Sequence, residues 1–420
     1  MPNPSAQNMS SARGAALYIG ALLGPSLLLL PGLAAALAGP ASIVAWSGLL
    51  ILSGLLAWVF TSLGTRIRGG VAEYAAAGLG ARVGRVVGWC FLSGVVAGAP
   101  VVCLIGGGYI ADLVGGGKPA KLVAAAALLL TVVALTLRGA RSSTAVQLVL
   151  VAVLVLLVAV AVIGSAPAGR AENWLPFAPH GWSSIGAAGS VLMLSFVGWE
   201  AIAPLTGRLR DPRTQLPRVI GTAFAITTVI YLALAAATIS VLGTRAPGEA
   251  PLADLLEVAV GAAGPVIGTT AAVTLTLAAT NAYLTSAAVL TAQLRGPASS
   301  SRGLQLAVLA AGLVLLGAAA ADLVSTAQLV SIPTTLFLVV YLCCTAASVR
   351  VLSGPVRAAA AVACAAVLGV LAFSGWALLV ASAVAIRAAV APERRLAPVG
   401  GAAPEWIRSS ARELRIRKRR

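Results

Sequence analysis

Apolar runs of 18 or more residues recur from one end of this 420-residue chain to the other. Each is long enough to cross a hydrocarbon core of roughly 30 Å at about 1.5 Å per helical residue. With 59% hydrophobic and 10% charged residues, the chain lacks the charge to cover a water-facing surface of this size. The architecture open to it is a bundle of membrane-crossing α-helices, because only helices satisfy every backbone polar group within one such segment. Met1 to Ser11 is short and polar, and the first apolar run is too long for the core of a cleaved signal. No leader is expected.

The pattern predicts twelve spans, near 15–37, 40–64, 84–112, 119–137, 143–165, 183–207, 217–243, 263–294, 303–321, 323–349, 355–373 and 375–391. A cytoplasmic first terminus then places 25 of the 29 positive residues inside, leaving Lys118, Lys121, Arg170 and Arg245 outside. That asymmetry supports twelve spans with both termini cytoplasmic in a multi-pass cell-membrane protein. Residues 1–13 form the N-terminus, 14–391 the transmembrane domain and 392–420 a basic tail. The net charge of +17 reflects cytoplasmic loops and this tail, not a nucleic-acid partner. Arginines alternating with Trp406, Ile407, Leu414 and Ile416 suit the anionic inner leaflet; disorder is the alternative.

Two spans carry interruptions in corresponding positions of the two halves. Near the start, Gly24-Pro25-Ser26 precedes an apolar run containing Pro31-Gly32. Near the middle, Ser195-Phe196-Val197-Gly198-Trp199-Glu200-Ala201 puts a carboxylate inside an apolar stretch, with Pro204 and Gly207 beyond it. A chain unwinds at membrane depth only where the freed groups line a cavity, and such pairs mark the solute site of secondary transporters. Amides at the start of a second half-helix attract an anion; carbonyls ending the first attract a cation. A zwitterionic amino acid needs both. The amides of Ser26 and Leu27 with the Ser26 hydroxyl would take its carboxylate. Carbonyls near Leu22 and Leu23, with those of Ser195 and Phe196, would take its ammonium. Two five-span units fit, about 15–165 and 183–349. An odd span count inverts the second copy, with 355–391 as two added helices.

Glu200 is the acid placed within a span, where an isolated carboxylate costs about 2.5–3.5 kcal/mol or more. It suits a group that exchanges a proton during transport; a structural cap or a partner of Arg208 or Arg210 is the other reading. Trp199 beside it suits a gate or simple packing. The eighth span carries Thr269, Thr270, Thr274, Thr276, Thr280, Asn281, Tyr283, Thr285 and Ser286, many of which can bond their own helix. A sodium site there lacks a carboxylate. Residues Pro251 to Glu257 have helical apolar spacing, which fits either a lid across the bundle or a solvated loop helix. Cys90, Cys103, Cys343, Cys344 and Cys364 fall within spans as small packing residues. No metal-ligand spacing is present, and no cofactor is expected. His180 sits in an external loop between Trp174 and Trp182.

Phe196-Val197-Gly198-Trp199-Glu200-Ala201, followed by Arg210-Asp211-Pro212-Arg213 and Leu216-Pro217-Arg218, resembles the sixth-span signature of the amino acid–polyamine–organocation superfamily. The first-span run through Pro31 and Gly69-Gly70-Val71-Ala72-Glu73-Tyr74 match the same family. Gly88-Trp89-Cys90-Phe91-Leu92 and Arg138-Gly139-Ala140-Arg141-Ser142-Ser143 look most like its branch of L-methionine and branched-chain amino-acid exporters. The resemblance implies an all-α fold of five-plus-five inverted repeats and alternating access. It places Gly24, Pro25 and Ser26 in the carboxylate-binding turn and Phe196 to Glu200 in the unwound sixth segment, with Glu200 where some relatives have a proton-responsive glutamate. The family turn is usually Gly-Ser/Thr-Gly. Pro25 here cannot donate an N–H, and Ser26 is less permissive than glycine.

The combined expectation is a non-enzymatic secondary transporter of small apolar amino acids, exporting by proton-linked exchange. Its solute would be held by Leu23, Gly24, Pro25, Ser26, Ser195, Phe196, Gly198 and Trp199. A proton- or sodium-coupled uptake permease and a nutrient sensor of the same fold are the alternatives. An intramembrane enzyme would need a nucleophile–base pair, and Glu200 has no His, Cys or Asp partner in its own segment. A channel would need charged rings that the sequence lacks.

Overall fold

The computed structural model describes residues 10–67, 69–139, 144–198, 209, 211–295 and 301–390. Trp199, Glu200 and the basic tail therefore lie outside the described residues. Helix α1 (Ser11–Leu22) starts at Ser10, whose hydroxyl accepts from the Arg13 amide at 3.3 Å. It stops at Leu23, whose ψ of 66° leaves the helical region. Helix α2 (Ser26–Ala38) resumes directly after Pro25, which sits where a helix start needs no N–H. It runs on through Pro31 and Gly32, so that pair does not close the span. One 3-10 turn, Gly39–Ala41, leads into α3 (Ser42–Gly64).

Helix α4 (Val71–Leu79) begins at Gly70, whose amide donates to Glu73 Oε2 at 2.8 Å. The Gly69–Tyr74 stretch is thus a helix start with its own glutamate cap. Tyr74 packs edge-on to Phe60, which in turn meets the Tyr341 ring. Helix α5 (Ala81–Val114) is followed by α6 (Gly117–Leu137) and α7 (Thr144–Ser165). A loop carrying an exposed His180 leads to α8 (Ser184–Leu192), which tightens to a 3-10 turn at Met193–Phe196. Val197 is extended and Gly198 has φ 148°, a backbone that L side chains rarely adopt. Helices α9 (Pro212–Ala237), α10 (Pro251–Val260), α11 (Ala263–Arg295), α12 (Ser301–Ala320), α13 (Thr326–Val351), α14 (Pro355–Ala372) and α15 (Ala377–Val390) complete the described chain.

Every described element is helical, and nine segments among the described residues are long and apolar enough to cross a membrane. Ser26–Gly64 counts as one of them by length and composition, although Gly39 (φ 60°, ψ -145°) ends α2 before α3 begins; Ser184–Phe196 and Ala377–Val390 are shorter apolar helices. Ile51, Ile163, Leu313 and Val390 point outward, 69%, 73%, 79% and 80% exposed. Such faces are unfavourable in water and suit hydrocarbon. The chain is a multi-pass membrane protein.

Helix α5 is the central post, packed against α4, α6, α11, α12, α13 and α15. Helix α10 does not float in solvent. Leu252, Leu255 and Leu256 are fully buried, and the helix seats against α7, α11 and α2. The preceding loop crosses α2 at Gly32, where a β-carbon would come 2.3 Å from the Gly248 carbonyl oxygen.

Candidate functional site between two broken helices

The two interruptions face each other. The α1–α2 break supplies Pro25 and Ser26, and the turn after α8 supplies Leu194 and Val197, to the wall of one small chamber of about 30 Å³. Residues from the stretch 94–102 of α5, Tyr283 of α11 and Phe337 of α13 complete its lining. Most of these groups are apolar. Ser26 offers a hydroxyl, and the Tyr283 hydroxyl lies 3.6 Å from where a β-carbon on Gly24 would stand.

Main-chain groups at the breaks are met by tyrosines from three helices, α9, α13 and α1, while a fourth tyrosine, on α5, ties α2 to α10. Tyr231 Oη on α9 lies 2.8 Å from the Leu22 carbonyl oxygen and 2.8 Å from that of Ser195. Tyr341 on α13 accepts from the Gly198 amide at 3.1 Å and makes a long 3.4 Å bond to the Phe196 carbonyl. Tyr18 on α1 reaches the Gly198 carbonyl at 3.4 Å. Tyr109 on α5 donates to the Leu28 carbonyl at 2.8 Å and accepts from the Leu252 amide at 3.3 Å. A phenol suits this task, joining an apolar ring that tolerates the interior to a hydroxyl that donates and accepts.

The sequence-predicted residues divide accordingly. Pro25 and Ser26 line the chamber, while Leu23 and Gly24 shape the break behind them. Ser195 and Phe196 are not among the residues lining the chamber; their main-chain carbonyls are met by Tyr231 and Tyr341. The Phe196 ring turns away to pack against Trp46 at 6.0 Å and Tyr231 at 5.4 Å. Ser195 Oγ is buried and has no hydrogen-bond partner among the described residues. Gly198 supplies the positive-φ bend. The Leu27 amide, expected to face an anion, instead donates to the Gly24 carbonyl at 3.1 Å. With Pro25 lacking an N–H, the break tightens into a local turn, and Ser26 remains the group facing the chamber. Trp199 and Glu200 lie outside the described residues.

Several α11 hydroxyls bond their own helix, as Thr270 to Val266, Thr274 to Thr270 and Thr285 to Asn281, all between 2.7 and 2.8 Å. Thr269 instead reaches the Tyr109 carbonyl at 3.2 Å, and Asn281 accepts from Thr136 at 3.2 Å. These tie α11 to α5 and α6.

A larger cavity of about 530 Å³ opens at the C-terminal end of α5, lined by Asp112, Lys118, Lys121, Glu249, Asp322 and Thr326 among others. Lys121 is buried and donates to Glu249 Oε1 at 2.6 Å and Thr326 Oγ1 at 3.0 Å. Lys118 pairs with Asp322. Nearby on α10, burial pushes the Asp254 carboxyl up to about 6, with the Asp112 charge adding to the rise and Arg245 opposing it.

The tyrosine contacts had no sequence signature beyond the rarity of the residue. Six tyrosines occur in 420 residues, and four of them serve the broken helices or the helix beyond.

Together these features define an α-helical multi-pass membrane protein in which two interrupted helices face a shared chamber. The chain belongs to the amino acid permease family, whose profile matches residues 11–401. It is 29% identical over 279 residues to the uncharacterized amino acid permease YecA of Bacillus subtilis (strain 168), covering 65% of each chain. It is 32% identical over 248 residues to the L-methionine/branched-chain amino acid exporter YjeH of Escherichia coli (strain K12), covering 58% of each. The branched-chain amino acid permease BcaP of Bacillus subtilis (strain 168) is 22% identical over 240 residues, 52% of each chain. The matched region thus spans less than two thirds of the length of these curated relatives.

Proposed function

We propose that this protein is a secondary active transporter of small apolar amino acids, working by alternating access around the paired breaks and exporting by proton-linked exchange. The observation that carries the reading is the chamber itself, bounded by both breaks at once and walled mainly by apolar groups. The start of α2 with the Ser26 hydroxyl suits a carboxylate, carrying the helix's partial positive charge. The carbonyls of Leu22 and Ser195 suit an ammonium, and Val95, Val102 and Phe337 suit a methyl-rich side chain. A volume of about 30 Å³ is too small for such a solute, so binding requires the wall to move, as alternating access demands.

Similarity to the methionine and branched-chain exporter supports methionine, leucine, isoleucine and valine as first substrates and export as the direction. The permease BcaP keeps uptake as the second reading. Glu200 is proposed from its sequence position as the proton-exchanging group. Twelve spans, the inverted repeats 15–165 and 183–349, and cytoplasmic termini complete the proposal.

Counterflow in proteoliposomes tests it. Vesicles loaded with unlabelled L-methionine or L-leucine should accumulate the labelled amino acid transiently, with a pH dependence that Glu200→Gln removes. Folded protein that catalyses no counterflow with any apolar amino acid contradicts the reading. An unchanged pH profile in the variant contradicts the role of Glu200 alone.

A further inference from the structure

We propose that the Tyr231 hydroxyl is a built-in stand-in for the solute's ammonium: it links the two broken helices when no solute does, and so lets the unloaded carrier reorient. The inference rests on the reading above, that the breaks hold the solute.

The geometry points to it in three ways. First, one hydroxyl sits 2.8 Å from two carbonyl oxygens, that of Leu22 ending α1 and that of Ser195 beside the second break. Both carbonyls stand where a helical segment ends, Leu22 as the last residue of α1 and Ser195 in the 3-10 turn before Val197. Pro25, three residues beyond Leu22, has no N–H, and the Gly198 amide, three beyond Ser195, donates to the Tyr341 hydroxyl. Second, a phenol carries a single hydrogen and can donate fully to one of the two carbonyls at a time. A primary ammonium carries three hydrogens and a positive charge and can serve both at once, through stronger charge-assisted bonds. The carbonyl pair is therefore better matched to an ammonium than to the hydroxyl that now spans it. Third, the ring is packed so that its hydroxyl reaches both carbonyls when no solute occupies them. Tyr231 is 1% exposed, and its ring stacks on Trp46 at 5.1 Å and packs against Phe196 at 5.4 Å. It projects from α9, which runs unbroken over 26 residues.

The consequence concerns net flux. A carrier that can reorient only when loaded performs exchange alone, whereas one whose empty form can also close and turn performs net transport. A hydroxyl bridging the same two carbonyls gives the empty form one of the loaded form's links. One hydrogen bond of this kind is worth up to about tenfold in a rate or population.

The test compares zero-trans efflux with equilibrium exchange of the same labelled L-amino acid in proteoliposomes, for the full-length wild type and Tyr231→Phe. Phenylalanine keeps the ring contacts and removes the hydroxyl. The exchange-to-net-flux ratio should rise about tenfold. A proportional fall in both fluxes, or an unchanged ratio, overturns the proposal, since a purely structural role lowers both alike. Should Tyr231→Phe fail to fold, a ring-fluorinated tyrosine at the same position, a stronger donor, should lower the ratio, and a rise or no change overturns it. A wild type that performs neither flux contradicts the site reading instead, a separate outcome.

Discussion

Lys121 and Glu249 meet at 2.6 Å, joining the start of α6 to the loop ahead of α10, and their burial is unequal. The lysine side chain is 10% exposed and the glutamate 48%. Removing either partner strands the other in a different environment. Glu249→Gln leaves a buried ammonium whose hydrogen-bond partners are a neutral amide and the Thr326 hydroxyl. Lys121→Met leaves a carboxylate that water can solvate. Glu249→Gln should lower stability by about 1–3 kcal/mol and Lys121→Met by less, because the stranded buried charge dominates. Melting curves of the two purified variants check the order, and a larger loss in Lys121→Met contradicts it.

Two glycines make a matched pair. An alanine β-carbon at Gly32 would lie 2.3 Å from the Gly248 carbonyl oxygen and 3.2 Å from that of Ala246, so main chain must shift. At Gly48, within α3, nothing lies within 4 Å. Gly32→Ala should destabilise by about 1–3 kcal/mol through overpacking. Gly48→Ala should be neutral or stabilising by up to about 1 kcal/mol from helix propensity. Thermal denaturation of both variants decides.

Asp254 makes stability depend on pH. Burial chiefly raises its folded-state value from 3.8 to about 6, so the folded protein takes up this proton more readily than the unfolded chain. Its favourable contribution is complete below 3.8 and is lost as pH rises through 6. Asp254→Asn, which mimics the protonated form, should therefore melt higher than the wild type at pH 7.5. The gain should shrink towards pH 5 and disappear near pH 4. Paired melting curves across that range test the sign, and a gain that persists at pH 4 contradicts it.

What could be read from sequence follows from how local each cause is. The membrane class and both helix breaks were legible because Pro25 and Gly198 act through their own backbone. The Glu73 cap also acts over three residues, yet its motif had pointed only to family resemblance. Helix α10 could be drawn, but its amphipathic pattern reads alike for a solvated helix and for the buried one the fold contains. The tyrosine contacts were invisible. Tyr231 meets Leu22 across 209 positions and Tyr341 meets Phe196 across 145, and no local pattern encodes such pairings. The turn of the Phe196 ring into the aromatic cluster with Trp46 and Tyr231 has no local signal either.

The most direct test of the central claim is to fill the chamber without disturbing the fold. Gly98 lines it, and an added β-carbon there would meet only Pro333, at an ordinary 3.6 Å. Valine at this position adds bulk to the α5 wall of the chamber. Labelled L-methionine and L-leucine counterflow should be measured for wild type and Gly98→Val in matched proteoliposomes, alongside their melting temperatures. The account predicts robust exchange in the wild type and at least a tenfold loss (about 1.4 kcal/mol) in the variant, at similar thermal stability. Undiminished exchange in a folded Gly98→Val protein would contradict it, because the solute would then be passing elsewhere.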